Sequence, residues 1–245
     1  MVSAVEKTLV VMPAFNEEES VGKVVLEVFE KLPGIICLVV DDGSSDATSV
    51  RALAAGARVA TLPFNLGVGG AMRVGFRYAL ENGFDNVVQI DADGQHDPSG
   101  VLTLLDRLTT ADLVLGARFA GTGDYSVRGP RRWAMILLSG FLSHTARTKL
   151  TDTTSGFRLS GPRAVRLFAE HYPAEYLGDT IESLVIAARA KCVIAQVPVA
   201  MRLRAGGRPS QHPIKAAAYL ARAVLALFFA LLRPPVVLHT TEVPA

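Results

Sequence analysis

Two aspartates one residue apart, Asp91 and Asp93, follow the strand-like stretch Val87–Ile90, and Gln95 stands two positions further on. Side chains leaving a strand alternate between its faces, but a turn there can converge both carboxylates on one hard cation, with Gln95 adding a neutral oxygen. Mg2+ or Mn2+ suits such ligands, and either ion commonly bridges a protein to phosphate oxygens. The competing use of these aspartates is an Asp-rich turn capping the helix that begins near Pro98. His96 reads as a turn residue rather than a ligand.

A second acidic run, Asp41-Asp42-Gly43-Ser44-Ser45-Asp46, also closes a buried apolar stretch. A carboxylate there can accept hydrogen bonds from a base or ribose, Gly43 permits close backbone approach, and Asp46 or Ser45 caps the next helix. The first loop, Pro13-Ala14-Phe15-Asn16-Glu17-Glu18, offers an aromatic face and carboxylates. Gly67-Val68-Gly69-Gly70 begins like a dinucleotide fingerprint, but the last glycine of GxGxxG would fall at Met72, and the loop opens the third unit rather than the first. A glycine-rich helix entry packed on a neighbour, or passing a diphosphate, fits it better.

These clusters need a frame. Apolar strand-like runs at 8–12, 35–40, 58–62, 87–90 and 113–116 alternate with helical spacing over 20–31, about 47–56, 69–82 and 98–109. That alternation predicts an α/β fold, a mainly parallel sheet covered by helices on both faces. Ligands collect beyond the carboxyl ends of such strands, where every cluster above falls. Beyond 120 the expected order is a polar loop at 121–132, an apolar helix at 133–150 and a polar turn at 152–158. Helices near 162–170 and 179–190, a strand at 193–199, a basic loop at 202–211 and an apolar helix at about 214–232 complete it.

With 245 residues, 50% hydrophobic and 20% charged, the chain can bury a sizeable core. No linker-like stretch appears before 210, so one main domain over 1–211 is expected, followed by a helix and tail over 212–245. The net charge of +2 excludes a strongly basic nucleic-acid binder. Residues 1–100 hold 7 Lys or Arg against 14 Asp or Glu, whereas 101–245 hold 18 against 9. An acidic half could face a cation while a basic half faces a polyanion. Cys37 and Cys192 sit in apolar runs and read as reduced core residues. Met1–Lys7 lacks the apolar core of a signal peptide, so export is not expected.

The segment 216–232 is 17 residues long with Arg222 near its middle, short of the roughly 20 needed to span a bilayer. An interfacial or partner-binding helix is expected, its arginines snorkelling while Leu225, Phe228 and Phe229 bury. Docking on its own domain is the alternative. Arg128, Arg131 and Arg132 precede the apolar stretch at Trp133, and Arg202, Arg204 and Arg208 flank Gly206-Gly207. Two basic loops beside an apolar helix suit a lipid phosphate acceptor, with ordinary solvated arginines as the alternative.

The ordered set PAFNEEES (13–20), DDGSSDAT (41–48), NLGVGGAMRVGF (65–76), DADGQHDP (91–98), GARF (116–119) and DTTSGFR (152–158) resembles the family 2 glycosyltransferases of the GT-A fold. Within them it is similar to the dolichyl-phosphate mannose synthase branch. The resemblance, over about 8–211, implies a nucleotide-diphosphate-sugar donor such as a GDP- or UDP-hexose. It implies Pro13, Phe15, Glu17, Val40 and Asp42 around the nucleoside, and Asp91, Ala92 and Asp93 beside the donor. Asp91, Asp93 and Gln95 would hold the metal, and Arg118 and Arg202 the phosphates. Asp93 counts among the catalytic residues, and Asp179 or Glu182 stands where the family often keeps a general base, with capping by Asp179 as the alternative.

The expected function is metal-dependent, inverting transfer of a hexose to a polyprenyl phosphate at the cytoplasmic face of the cell membrane. The membrane surface, or a small membrane protein, would engage 214–232. A soluble hydroxyl acceptor with Asp179 or Glu182 as base is the alternative reaction. A non-catalytic nucleotide-sugar-binding subunit of a membrane complex is the alternative of another class.

Overall fold

The computed structural model describes residues 2–117, 140, 142–144, 146, 148–173 and 179–202. The elements, in chain order, are α1 (Val2–Glu6), β1 (Thr8–Ala14), α2 (Val21–Lys31), β2 (Ile36–Asp41), α3 (Thr48–Ala54), β3 (Arg58–Thr61), α4 (Gly67–Glu81) and β4 (Asn86–Gln89). They continue with α5 (Gly100–Leu108), β5 (Leu113–Ala117), β6 (Arg158–Ser160), α6 (Pro162–His171), α7 (Asp179–Arg189) and β7 (Ile194–Pro198).

The seven described strands form one sheet in the order β3-β2-β1-β4-β6-β5-β7. β1, β2, β3 and β4 run parallel, as do β5 and β7, while β6 is antiparallel to both its neighbours. The sheet is therefore mixed but mostly parallel, in line with the α/β expectation.

Alternation along the strands builds two cores. Leu9 and Val11 of β1 join Leu38, Val40, Met72, Phe76 and Phe168 on the face covered by α4, α6 and α7. Val10 and Met12 join Cys37, Val39, Val88 and Ile90 on the face covered by α2 and α5. The α2 stripe Val21, Val24, Val25 and Val28 has the spacing that turns one helical side inward. Gly75 lets α4 press onto β1, for a Cβ there would stand 2.3 Å from Val11 Cγ1. Both cysteines are free and buried, and burial pushes the Cys37 thiol up to about 12 and that of Cys192 up to about 11. Inert core thiols were expected at both positions.

The stretch 152–158 holds the expected polar turn, at 153–154, and then runs into a strand. Asp152, Thr153, Ser155 and Arg158 are buried, and Arg158 opens β6, which inserts between β4 and β5. Because β6 runs opposite to β4, the loop before it enters at the same edge where β4 ends, bringing 152–157 beside Asp91. The expected helix at 133–150 is helical at 140, 142–144 and 146, its remainder falling mostly outside the described residues. The loop at 121–132, the basic loop beyond Arg202 and the helix at 214–232 also fall outside them. Among the described residues no helix is long and apolar enough to cross a membrane.

Candidate active site

Parallel pairing sets the carboxyl ends of β1, β2 and β4 side by side, and the β1–β2 register places Pro13 next to Val40 and Ala14 next to Asp41. The loop after β1 is braced by its neighbour. Asn16 takes the left-handed φ of 55°, a conformation Asn tolerates better than most residues. Its Oδ1 accepts the Ser45 N–H at 2.9 Å, and its own N–H donates to Ser44 Oγ at 2.9 Å. The Glu17 N–H donates to Thr48 Oγ1 at 2.9 Å, while its carboxylate accepts Ser20 Oγ at 2.8 Å. Phe15 on this loop remains 46% exposed, leaving an aromatic surface at the sheet edge.

The two aspartates after β2 have separate structural work. Asp41 accepts the Ser44 N–H at 2.9 Å and the Ser49 hydroxyl. Asp42 reaches across to accept the N–H groups of Leu66 and Gly67 at 2.7 and 2.8 Å, tying β2 to the start of α4. Burial raises the Asp42 carboxyl above its ordinary 3.8, outweighing these two bonds, and Asp41 adds to the rise. The N-cap position of α3 falls at Ala47 rather than at the expected Asp46 or Ser45; Asp46 stands one residue earlier, and its Oδ1 accepts the Thr48 N–H at 3.0 Å. These bonds from Asp42 to the entry of α4, where Gly67 takes a left-handed φ of 80°, were not anticipated.

At the end of β4, Asp91 keeps a side chain 37% exposed, while Asp93 is 9% exposed and accepts the Gln95 N–H at 3.0 Å. Gln89 Nε2 donates to Asp91 Oδ1 at 3.0 Å. His96 is not the simple turn residue that the sequence suggested: it is 3% exposed and stacks on Phe157, with ring centroids 5.0 Å apart and planes 20° from parallel. Its Nδ1 accepts the Asp91 N–H at 3.1 Å, and its Nε2 stands 3.7 Å from Asp91 Oδ2. Gly156 closes over the same carboxylate, where a Cβ would stand 3.0 Å from Gln89 Nε2 and 3.2 Å from Asp91 Oδ2.

Among the described residues no three His, Cys, Asp or Glu side chains converge as a self-contained metal site. Two carboxylates at one edge, one of them open to solvent, nonetheless match the way Mg2+ is commonly held. That ion takes one or two protein carboxylates and completes its shell with substrate phosphates and water. The donor set of Asp91 and Asp93, with the Gln95 amide oxygen, fits it chemically.

The chain's later elements meet this loop from the other side. His96 forms an antiparallel bridge with Met201, and the Arg202 N–H donates to Gln95 O at 3.0 Å. The Arg202 guanidinium holds Glu27 at 2.6 Å and Asp97 at 2.7 Å, and these carboxylates raise its already high pKa. Arg158, paired in register with Gln89, donates to the carbonyls of Ser155, Thr153 and Thr180 and to Ser183 Oγ, all within 2.9 Å. It thereby fastens α7, on which Glu182 is buried, to the loop beside Asp91. Asp179 is the first residue of α7. Arg118, Arg128, Arg131, Arg132, Arg204 and Arg208 lie outside the described residues.

The structure thus gathers Pro13, Phe15, Glu17, Val40, Asp42, Asp91, Ala92, Asp93, Gln95 and Arg202 on loops or strand ends at one sheet edge. Sequence reasoning missed the supporting roles of Asn16, Gln89, His96 and Gly156. Gln89 and His96 flank the acidic motif, and a polar residue ending an otherwise apolar strand was the available signal for Gln89.

A mostly parallel α/β sheet with paired carboxylates and braced polar loops at one edge is the arrangement expected of the GT-A fold. The chain belongs to glycosyl transferase family 2, whose model matches residues 9–170. It is 36% identical over 159 residues to undecaprenyl-phosphate mannosyltransferase of Micrococcus luteus, covering 62% of this chain and 65% of that protein. It is 35% identical over 168 residues to polyprenol monophosphomannose synthase of Mycolicibacterium smegmatis, covering 62% and 61%. The chain therefore spans somewhat less than two thirds of these curated relatives. Glucosyl-3-phosphoglycerate synthase of Mycobacterium tuberculosis, solved with Mn2+, UDP-glucose and phosphoglyceric acid, superposes with a TM-score of 0.70. That match has 26% identity and covers 95% of this chain and 82% of the other.

Proposed function

We propose that this chain transfers a hexose, with inversion, from a nucleotide-diphosphate sugar to a polyprenyl phosphate. The observation that carries the acceptor is the likeness to two polyprenyl-phosphate mannose transferases. The loops bearing Phe15, Glu17 and Asp42 would frame the nucleoside, and Asp91, Asp93 and Gln95 would hold Mg2+ or Mn2+ against the diphosphate. A bound divalent cation supplies charge stabilisation to the departing nucleoside diphosphate. Arg118 would add to that neutralisation, as would Arg202 once released from Glu27 and Asp97, and Arg128, Arg131, Arg132, Arg204 and Arg208 would receive the acceptor phosphate. A phosphate acceptor is already an anionic nucleophile, so the reaction needs no protein base. The work of this chain's residues is then to orient the donor and exclude water.

Such an acceptor places the enzyme at the cytoplasmic face of the membrane, with 214–232 meeting the lipid surface or a small membrane protein. A second reading is favoured by the likeness to the phosphoglycerate-acting synthase: a soluble hydroxyl acceptor, with Asp179 or Glu182 removing its proton.

The test is transfer from labelled GDP-mannose, UDP-glucose and related donors, with polyprenyl phosphate in detergent and then without lipid. Lipid-linked product that survives Glu182→Ala supports the proposal. Product formed only on soluble hydroxyls, and abolished by Asp179→Ala or Glu182→Ala, supports the second reading. Nucleotide-sugar binding without turnover on any acceptor would instead indicate a binding subunit.

A further inference from the structure

The most buried polar side chain of the acidic loop is a histidine. His96 is held by three independent contacts. Its ring lies against Phe157, its backbone bridges Met201, and its Nδ1 accepts the N–H of Asp91. Its Nε2 stands 3.7 Å from Asp91 Oδ2, longer than a hydrogen bond, while Gln89 Nε2 holds Oδ1 at 3.0 Å. Each oxygen of the Asp91 carboxylate therefore has a nitrogen-bearing side chain at its flank. Burial of Phe157 and Leu159 fixes the wall behind them.

Taking Asp91 as a ligand of the divalent cation, which rests on the proposed function, we infer that His96 is the positioning residue that fixes the backbone of Asp91, and through it the place of its carboxylate, for cation binding. Groups that orient a ligating carboxylate set how much ordering is left for the ion to impose. Their loss commonly costs 10–100-fold in metal affinity. The same residue also registers the acidic loop against Met201 and Arg202, the start of the basic loop.

The full chain and two variants would be titrated calorimetrically with GDP and UDP, in Mn2+ and in EDTA, with folding followed by circular dichroism. His96→Phe keeps the stacking on Phe157 but removes the acceptor for the Asp91 N–H. His96→Asn restores an acceptor near the Nδ1 position while losing the ring. Mn2+-dependent nucleotide affinity is expected to fall at least about tenfold in His96→Phe. Binding in EDTA should stay near wild type, and His96→Asn should recover much of the loss. Wild-type Mn2+ affinity in His96→Phe would overturn the inference, as would equal losses in Mn2+ and EDTA or no recovery in His96→Asn. Nucleotide binding by wild type that ignores EDTA would overturn the cation reading itself, and the inference with it.

Discussion

Asp42 and Gly67 are joined by a 2.8 Å hydrogen bond in which a carboxylate at the end of β2 caps a helix 25 residues further along the chain. The second oxygen takes the Leu66 N–H at 2.7 Å, so two of the orphan donors at the start of α4 have one partner. Asp42→Ala removes this partner, leaving the Gly67 N–H with Asn65 Oδ1 at 3.1 Å and the Leu66 N–H in a partly exposed setting. A loss of about 1 kcal/mol is expected, typical of a helix cap. Urea unfolding of the two proteins measures it, and coincident midpoints would show that the α4 entry stands without Asp42.

This bond marks where sequence reasoning stopped. β1, β2 and β5 were legible because a strand buried on both faces reads as a largely apolar run with turn residues after it. α2 was legible from its valine stripe. β6 was not, since Arg158-Leu159-Ser160 is three residues long and has no local strand signal; the open place between β4 and β5 makes it a strand. Asp42 was read toward a nucleoside, and the cap toward Asp46, because the Leu66 and Gly67 donors are distant in sequence. The burial of His96 likewise depends on Phe157, a partner that no spacing rule connects to it.

Close packing of α4 on β1 gives a second expectation. An added methyl at Gly75 would meet Val11 Cγ1 at 2.3 Å and Cγ2 at 2.8 Å, in a core that cannot yield by that much without shifting the helix. Gly75→Ala should cost about 1–3 kcal/mol, the range for overpacked cores. Val11→Ala alone should also destabilise, by opening a cavity. The double variant should be more stable than the sum of the two losses allows, a coupling that thermal melts of all four proteins would reveal. Additive losses would mean that the helix does not touch Val11 in solution.

The link between the acidic loop and the last described residues should be pH dependent. Burial alone would raise the Asp97 carboxyl, but hydrogen bonds from Ser99 and Arg202 outweigh it and hold the group below its ordinary 3.8. A folded-state value below the unfolded one means that stability from Asp97 is present above about 3.8 and is lost as pH falls through the lowered value. Asp97→Asn should thus be less stable than wild type near neutral pH, by about 1 kcal/mol or less after solvent screening. The gap should close in strong acid. Urea midpoints at neutral, mildly acidic and strongly acidic pH would follow it, and a gap that persists unchanged in strong acid would contradict the pairing.

Gly156 connects the buried β6 loop to the proposed cation site most directly. A methyl there would approach Gln89 Nε2 to 3.0 Å and the Asp91 carboxylate oxygens to 3.2 and 3.4 Å. The polar side chains, rather than the backbone, would have to give, and they can do so only by breaking the Gln89–Asp91 bond or turning the carboxylate. Gly156→Ala is therefore expected to weaken Mn2+-dependent nucleotide binding by about tenfold, the lower range for a disturbed supporting shell. Binding in EDTA should remain close to wild type, because Phe15, Glu17 and Asp42 stand on other loops. Calorimetric titration with and without Mn2+ separates the two components. Undiminished Mn2+-dependent binding would mean that Asp91 tolerates displacement and that its orientation does not set the cation's hold.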